Sequence, residues 1–486
     1  MPYTATRDIP YDSDAAATFD ALAQPHDSLL LESADIETKK NLNCLAILKA
    51  ALRVTCHGHR VEVRALTNAG EVLLPPLRDR FRHRLVSRET TTAVFEFPPS
   101  AEPDEATYSS PLLPFLGGGF AYDYLATFED LPEVKPGPNS YPDYEFLVAQ
   151  TVLEVDHLQR TARLEGWDID EDHLKAELDS LATRPETPRP TAPQRSKIRA
   201  VADADDATFR ADVEKLQRKI HAGDIYQVVP ARSFALECPS ALAAYRTLRD
   251  TNPSPYMFYV RGDGYELFGA SPESNLRFTP EDRGVQLYPI AGTRPRGLRP
   301  DGSISHELDI RNELEMRTDH KEIAEHTMLV DLARNDLARV AVPRSRQVAE
   351  LLQVDRYSRV MHLVSRVTAK LHSDFDALDA YRACMNMGTL TGAPKLRATE
   401  LVRQTEGTRR GSYGGAVGYL RGDGAMDNCI VIRSAYVQDG TAVVQAGAGV
   451  VKDSVPQAEA DETVHKAYAV LNAIAVAHGA DLEVQR

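Results

Sequence analysis

Three observations predict an α+β fold. Short apolar runs in the second half are punctuated by Asp-Gly pairs, at Asp263-Gly264, Asp423-Gly424 and Asp439-Gly440. Charged amphipathic stretches of helical length stand apart from these runs instead of alternating with them. A proline-rich stretch without large apolar side chains, Thr183 to Lys197, interrupts the chain. Asp-Gly suits the tight turns that join antiparallel strands, so the runs read as a meander. A stretch that cannot bury a core reads as a semi-extended linker. The chain therefore divides into residues 1–182, a linker at 183–197, and residues 198–486.

The elements of the second part follow in order. Asp206–Ala222 carries an apolar face and stops at Gly223, which reads as a helix. Ser274–Phe278 and Val285–Ile290, on either side of PEDRG, read as a hairpin. Ile310–Val340 reads as one long charged helical stretch, with Leu314, Met328, Leu329, Leu332 and Leu337 on its apolar side. GSYGGAVGYL, NCIVIRSAYV and TAVVQAGAGVV read as the strands of the meander. A last helix starts near Ser454, where Ser454 and Gln457 form a capping box and Pro456 occupies the first turn, and runs to about Gly479. Parallel strand–helix alternation does not dominate, which argues against a dinucleotide fold.

Composition narrows the function classes. The chain of 486 residues is 43% hydrophobic and 26% charged, which excludes intrinsic disorder and small disulfide scaffolds. Its formal net charge of −15 disfavours binding to nucleic acid or an anionic membrane. The five cysteines, Cys44, Cys56, Cys238, Cys384 and Cys429, form no CxxC pair, as expected of buried thiols in a reducing cytoplasm. The N-terminal residues contain no apolar signal region, and no apolar run reaches membrane-spanning length.

Several residues are candidates for chemistry. Glu322 and Glu325 lie on the long helical stretch, and Glu459 and Glu462 on the last helix. A spacing of three puts each pair on one helical face. Two such faces would offer oxygen ligands to Mg²⁺, although spacing alone favours a solvated face. Glycines in QAGAGVV (445–451) weaken a strand unless a ligand or another backbone comes close. Gly388–Lys395, GTLTGAPK, lacks the lysine-hydroxyl pair of a phosphate loop, because Pro394 precedes the lysine and Leu396 follows it. Arg433 sits in the apolar run CIVIRSAYV and, if buried, needs an anionic partner. His362, in MHLVS, reads on pattern as a core histidine or as a functional one.

Longer strings carry the reading further. GASPES (269–274), PIAGTRPRG (289–297), DHKEIAEHTMLVDLARNDLARV (319–340), VDRYSRVMHLVSRV (354–367), GTLTGAPK (388–395), RRGSYGGAVGY (409–419), CIVIRSA (429–435) and QAGAGVVKDSVPQAEADET (445–463) closely resemble the chorismate-utilising enzymes. The resemblance is densest over 205–478 and strongest to anthranilate synthase large subunits. In the first part it rests chiefly on LLLESADI (29–36). It implies two antiparallel sheets packed face to face with helices outside. It also implies conversion of chorismate and ammonia to anthranilate and pyruvate through aminodeoxyisochorismate, with Mg²⁺ as cofactor.

Position by position, the resemblance implies Glu325 and Glu462 as metal ligands, with Glu322 and Glu459 supporting. Glu273 matches the acid that protonates the departing hydroxyl, and His362 the residue of the elimination half. Thr293 and Thr389 match substrate contacts. Arg433, Tyr413 and the backbone at Gly447, Ala448 and Gly449 match the cradle of the enolpyruvyl carboxylate. Gln227 stands where isochorismate-forming relatives carry a water-activating lysine, and Ala291 where aminodeoxychorismate synthases carry a lysine nucleophile. Both substitutions favour ammonia as the nucleophile and anthranilate as the product. Aminodeoxyisochorismate synthases, which stop at the intermediate, are the nearest alternative.

No glutaminase motif is present, so ammonia is expected from a separate glutamine amidotransferase subunit. The resemblance implies a heterotetramer of two large and two small subunits. Glu32 and Ser33, with Asn252, Pro255, Tyr256 and Met257, resemble the site at which L-tryptophan inhibits this family.

Overall fold

The computed structural model describes residues 2–34, 41–97, 115–183, 195–299, 303–356 and 360–486. Most of the expected linker, 184–194, lies outside the described residues, as does the side chain of Thr293. The α+β expectation holds. Hydrogen-bonded strands form one branched, largely antiparallel network that folds into two facing sheets.

The long strands Asn41–His57 and Tyr144–Asp156 run through both sheets. Their pairing slips register between Ile47 and Leu52, where the sheets diverge. From the first half of Asn41–His57, one sheet continues through Ser28–Ala34, Tyr256–Arg261, Glu266–Ser271, Ser434–Gln438 and Thr441–Gly447. From the first half of Tyr144–Asp156, the other continues through Phe115–Phe120, Ala416–Arg421, Met426–Ile430 and Ser274–Thr279. Among the described strands, only Lys197–Ala202 and Asp481–Gln485 pair in parallel.

Alternation along the strands builds the layers. Leu29, Phe258 and Val260 point inward and meet Leu147, Val417 and Val431 from the other sheet. Leu30, Tyr259 and Phe268 point outward, under the helices Ala241–Thr251 and Pro456–Ala477. Leu276, Val285 and Val367 cover the second sheet's outer face with the helices His320–Ala338 and Ala377–Cys384. Strands buried on both faces explain the continuous apolar runs LLL and YMFYV.

The Asp-Gly turns form as expected, with Gly264, Gly424 and Gly440 at positive φ between paired strands. The Ser274–Thr279 and Gly284–Leu287 hairpin forms. The helix Asp206–His221 is capped by Asp205, whose carboxylate accepts from the Thr208 amide at 2.8 Å.

Four expectations need correction. The stretch 310–340 is two helices, His306–Thr318 and His320–Ala338. Asp319 breaks it by turning its carboxylate onto the Glu322 amide, a cap inside an otherwise helical pattern. The last helix begins at Pro456 without a capping box. Ser454 instead accepts from the Val451 amide, and Gln457 reaches Asp206 and Asp461. CIVIRSAYV is two strands, because the chain leaves one sheet at Ile430 and joins the other at Ser434. QAGAGVV stops being a strand at Gly447. Ala448–Val450 continues as backbone hydrogen-bonded to Pro230 and Val228.

Candidate active site

Two sheet crossings lie side by side. At Pro272–Glu273 the chain passes from Glu266–Ser271 to Ser274–Thr279, and at Val431–Arg433 from Met426–Ile430 to Ser434–Gln438. The crossings are stitched together: the Ile430 amide donates to the Glu273 carbonyl and the Ala270 amide to the Arg433 carbonyl, each at 3.1 Å. Arg433 takes φ +51° to make the turn, a conformation that costs a non-glycine residue roughly 1 kcal/mol or more. The topology thus sets a carboxyl group and a guanidinium on adjacent strand breaks, where no ladder partner competes for them.

Glu273 is buried, and desolvation raises its pKa to about 8. Opposing this rise are the Thr389 hydroxyl, which donates to Glu273 Oε1 at 3.1 Å, the charges of Arg433 and Lys466, and the Ile290 amide. Burial wins, so the group is a carboxylic acid at neutral pH, able to give a proton. Desolvation also pushes the Arg433 guanidinium below its ordinary range, against Tyr413, Glu462 and Glu273. No hydrogen bond or ion pair to another described residue holds it, which leaves it available to an anion. Tyr413 is buried with its phenol pushed up to about 12, beside Arg433 and the Gly447 amide.

Around this centre the expected residues fall into two linked sets. Glu273, Thr389, Arg433, Tyr413, Gly447 and Glu462 form the first. Lys466 joins it, donating to the Gly447 carbonyl at 3.0 Å and pairing with Glu462 at 2.5 Å. Gln227 is buried and faces Gly449: a Cβ there would lie 3.1 Å from Gln227 Nε2. Gln227 Oε1 accepts no hydrogen bond, a polar atom left over inside the site.

The second set is reached along the strand Ile290–Pro295. Gly292 has φ +78°, and a Cβ on it would lie 3.1 Å from Glu322 Oε2. Its carbonyl lies 3.4 Å from His362 Nδ1. Thr293 stands opposite His362 in the strand register. Glycine is thus required where helix, strand and histidine converge.

The four glutamates are hard oxygen donors of the kind Mg²⁺ takes. One oxygen of Glu325 and one of Glu459 are sealed from solvent. Glu322 pairs with Arg294 at 2.8 Å, and Glu462 with Lys466. No three of the four bring carboxylate oxygens within 4.8 Å of one another. The donor chemistry suits a divalent cation, but in this arrangement two internal cations hold half of the donors. Among the described residues, the cluster that does meet that spacing is Asp168, His173 and Glu177, in the first part and outside the two sets.

A separate cavity of about 660 Å³ opens between the parts. Glu32, Ser33, Pro255, Tyr256 and Met257 line it, together with Arg277, Tyr419 and Asp427. Asn252 does not line it. It is the C-cap of the helix Ala241–Thr251, its backbone amide donating to the Leu248 carbonyl. The Glu32 carboxyl turns behind the strand to the Tyr245 hydroxyl, with Arg249 at 3.7 Å. Burial pushes its pKa up, countered by Arg249. Tyr256 donates to Asp427, whose pKa desolvation raises to about 6.

Sequence reasoning missed Lys466, Arg294, Tyr245 and Arg249. Lys466 carried a signal, a cation four residues after Glu462, as did Tyr245 and Arg249 by the same spacing on their helix.

A two-sheet scaffold with a buried protonated acid, a guanidinium open to an anion and paired acidic helices defines a binder of small carboxylates. Residues 51–472 match the family described as chorismate binding enzyme, and the chain belongs to that family. Its sequence is 49% identical to anthranilate synthase component 1 of Vibrio cholerae, over 97% of this chain and 96% of that protein. It is also 49% identical to the Escherichia coli K12 protein of the same name, over 93% of each. The crystal structure of anthranilate synthase component I from Streptococcus pneumoniae superposes with a TM-score of 0.72 at 27% identity, covering 90% of this chain and 94% of that one. The menaquinone-specific isochorismate synthase of Escherichia coli, 19% identical with a TM-score of 0.70 and covering 98% of this chain and 95% of that one, shares the fold. The match to the family begins at residue 51, well before the region where the sequence resemblance is dense.

Proposed function

We propose that the chain is the large subunit of an anthranilate synthase, converting chorismate and ammonia to anthranilate and pyruvate. The observation that carries this reading is the protonated Glu273 next to the open guanidinium of Arg433. Chorismate brings two carboxylates and a hydroxyl that must leave. Arg433, Tyr413 and the backbone at Gly447, Ala448 and Gly449 would hold the enolpyruvyl carboxylate. Thr293 and Thr389 would contact the substrate ring and its substituents.

Glu273 gives its proton to the C4 hydroxyl as ammonia adds at C2, so water leaves in place of hydroxide. The product of that step is aminodeoxyisochorismate. Loss of the C2 proton and of pyruvate then gives the aromatic ring, with His362 serving the elimination half. Thr389 fixes the Glu273 carboxyl through its hydrogen bond. Gln227 fills the place of a water-activating base without being one, and Ala291 offers no nucleophile, which supports ammonia over both alternatives.

Mg²⁺ held by Glu325 and Glu462, with Glu322 and Glu459 supporting, would supply positive charge opposite the ring carboxylate. Glu322 and Glu462 would exchange Arg294 and Lys466 for the ion. Ammonia would come from a glutamine amidotransferase subunit. The cavity lined by Ser33, Tyr256 and Met257 would take L-tryptophan, its volume lying within the range of small-molecule sites. On this reading residues 1–182 are the regulatory part and residues 198–486 the catalytic part.

The test is an assay of the purified chain with chorismate, Mg²⁺ and ammonium near pH 8.5. Anthranilate that disappears on chelation is expected. Accumulation of the aminated, pyruvate-bearing intermediate would move the reading to a synthase that stops there, and absence of turnover would refute it.

A further inference from the structure

Arg410 is 2% exposed and sits behind the site, facing none of its open space. Its Nη1 donates to the Leu390 carbonyl at 2.9 Å, and its Nη2 to the Val229 carbonyl at 2.7 Å. Nε and Nη2 grip the two oxygens of Glu406 at 2.8 and 2.5 Å. The guanidinium carbon Cζ lies 4.5 Å from the centre of the Tyr122 ring and 5.6 Å from that of Tyr413. Glu406 Oε1 also accepts from the Ala231 amide at 2.8 Å.

These contacts fall on three segments of the site: Leu390, Val229 with Ala231, and Tyr413. Leu390 follows Thr389, the hydrogen-bond partner of Glu273. Val229 follows the strand that carries Gln227. Tyr413 is itself a candidate substrate contact. Ala231 pairs with Gly447 in the strand ladder. Leu390 and Val229 lie 20 and 181 residues from Arg410, and no regular secondary structure ties all three segments together.

We propose that Arg410 is a positioning residue: with Glu406 it fixes the mutual spacing of three segments that enclose the substrate, without touching the substrate. The inference rests on the function proposed above. Arginine is required because its planar fork reaches two carbonyls and both carboxylate oxygens at once and offers flat faces to two rings. A lysine keeps the charge opposite Glu406 and loses the fork.

The experiment compares Arg410→Lys with Arg53→Lys. Arg53 is a second buried arginine, 6% exposed, whose partners, Asp27 and Asp263, lie outside the site. Chorismate KM should rise at least fivefold and kcat fall at least tenfold in Arg410→Lys, with ammonium KM within twofold of wild type. Arg53→Lys should lose thermal stability and keep all three constants within twofold. General loosening cannot single out one substrate in this way. A folded Arg410→Lys with wild-type chorismate KM and kcat would overturn the proposal. If Arg410→Lys does not fold, Glu406→Gln decides, with a rise of about threefold in chorismate KM expected and unchanged kinetics refuting. A wild type that makes no anthranilate would refute the function instead. Calorimetric chorismate binding, weakened in Arg410→Lys and intact in Arg53→Lys, would then still test the positioning, and equal binding would overturn it.

Discussion

Replacing Glu273 by glutamine separates its electrostatics from its shape. Burial raises the carboxyl from an ordinary 4.5 to about 8. Between those values the folded chain holds one proton more than the unfolded chain, so stability falls as pH rises. The loss is about 1.4 kcal/mol per pH unit, or roughly 3 kcal/mol from pH 5.5 to 8. That is a sizeable share of the 5–15 kcal/mol typical of a domain. Glutamine keeps the size and can still accept from Thr389, but it does not titrate. Asp427 and other buried acids titrate in both chains and cancel in the difference. Urea unfolding of both proteins from pH 5.5 to 8.5 should show Glu273→Gln gaining on wild type as pH rises, by about 3 kcal/mol at the top. Its kcat should fall by about 10²–10⁴, the usual worth of a general acid. Parallel stability curves would mean that the folded carboxyl is already ionised, and the proton-donor role would fall with them.

Glu325→Gln and Glu462→Gln should each abolish both anthranilate formation and the rise in melting temperature on adding Mg²⁺; an unchanged Mg²⁺ titration would remove that residue from the metal site. Tyr256→Ala and Met257→Ala should raise the tryptophan concentration for half-inhibition at least tenfold, about 1.4 kcal/mol, with kcat within twofold. Inhibition that is unaltered would move the effector elsewhere. Gln227→Lys should divert turnover from anthranilate toward a water-addition product, because a buried lysine is held partly neutral and can act as a base. Mass spectrometry reads the two products apart, and anthranilate alone would refute this role for the position.

What was legible in the sequence was local. The Asp-Gly turns and the Asp206–His221 helix are written in a few consecutive residues. What was missed depended on partners far along the chain. Asp319 looks like one more charge on a helix until its carboxylate meets the Glu322 amide and Arg294. Arg433 sits in an apolar run that reads as one strand, yet it turns between two sheets whose pairing no short window contains. Ser454 and Gln457 have the spacing of a capping box, but the Val451 amide took the Ser454 hydroxyl, and Asp206 and Asp461 took the Gln457 amide. The site residues came from the resemblance, since spacing alone left the glutamates and His362 open. Glu406 and Arg410 stand four residues apart in the sequence, but the carbonyls of Leu390 and Val229 that Arg410 also holds are visible only in three dimensions.

The strand Ser28–Ala34 lies between Asn41–His57 of its own part and Tyr256–Arg261 of the other. Phe115–Phe120 likewise joins Tyr144–Asp156 to Ala416–Arg421. Neither part can therefore be expressed as a self-sufficient unit, since each would present a raw sheet edge to solvent. A protease cut between residues 184 and 194 should leave two fragments that elute together and retain turnover. Deleting residues 1–182 would strip the inner wall from residues 198–486, so under the proposed function any relief from tryptophan inhibition has to come one side chain at a time.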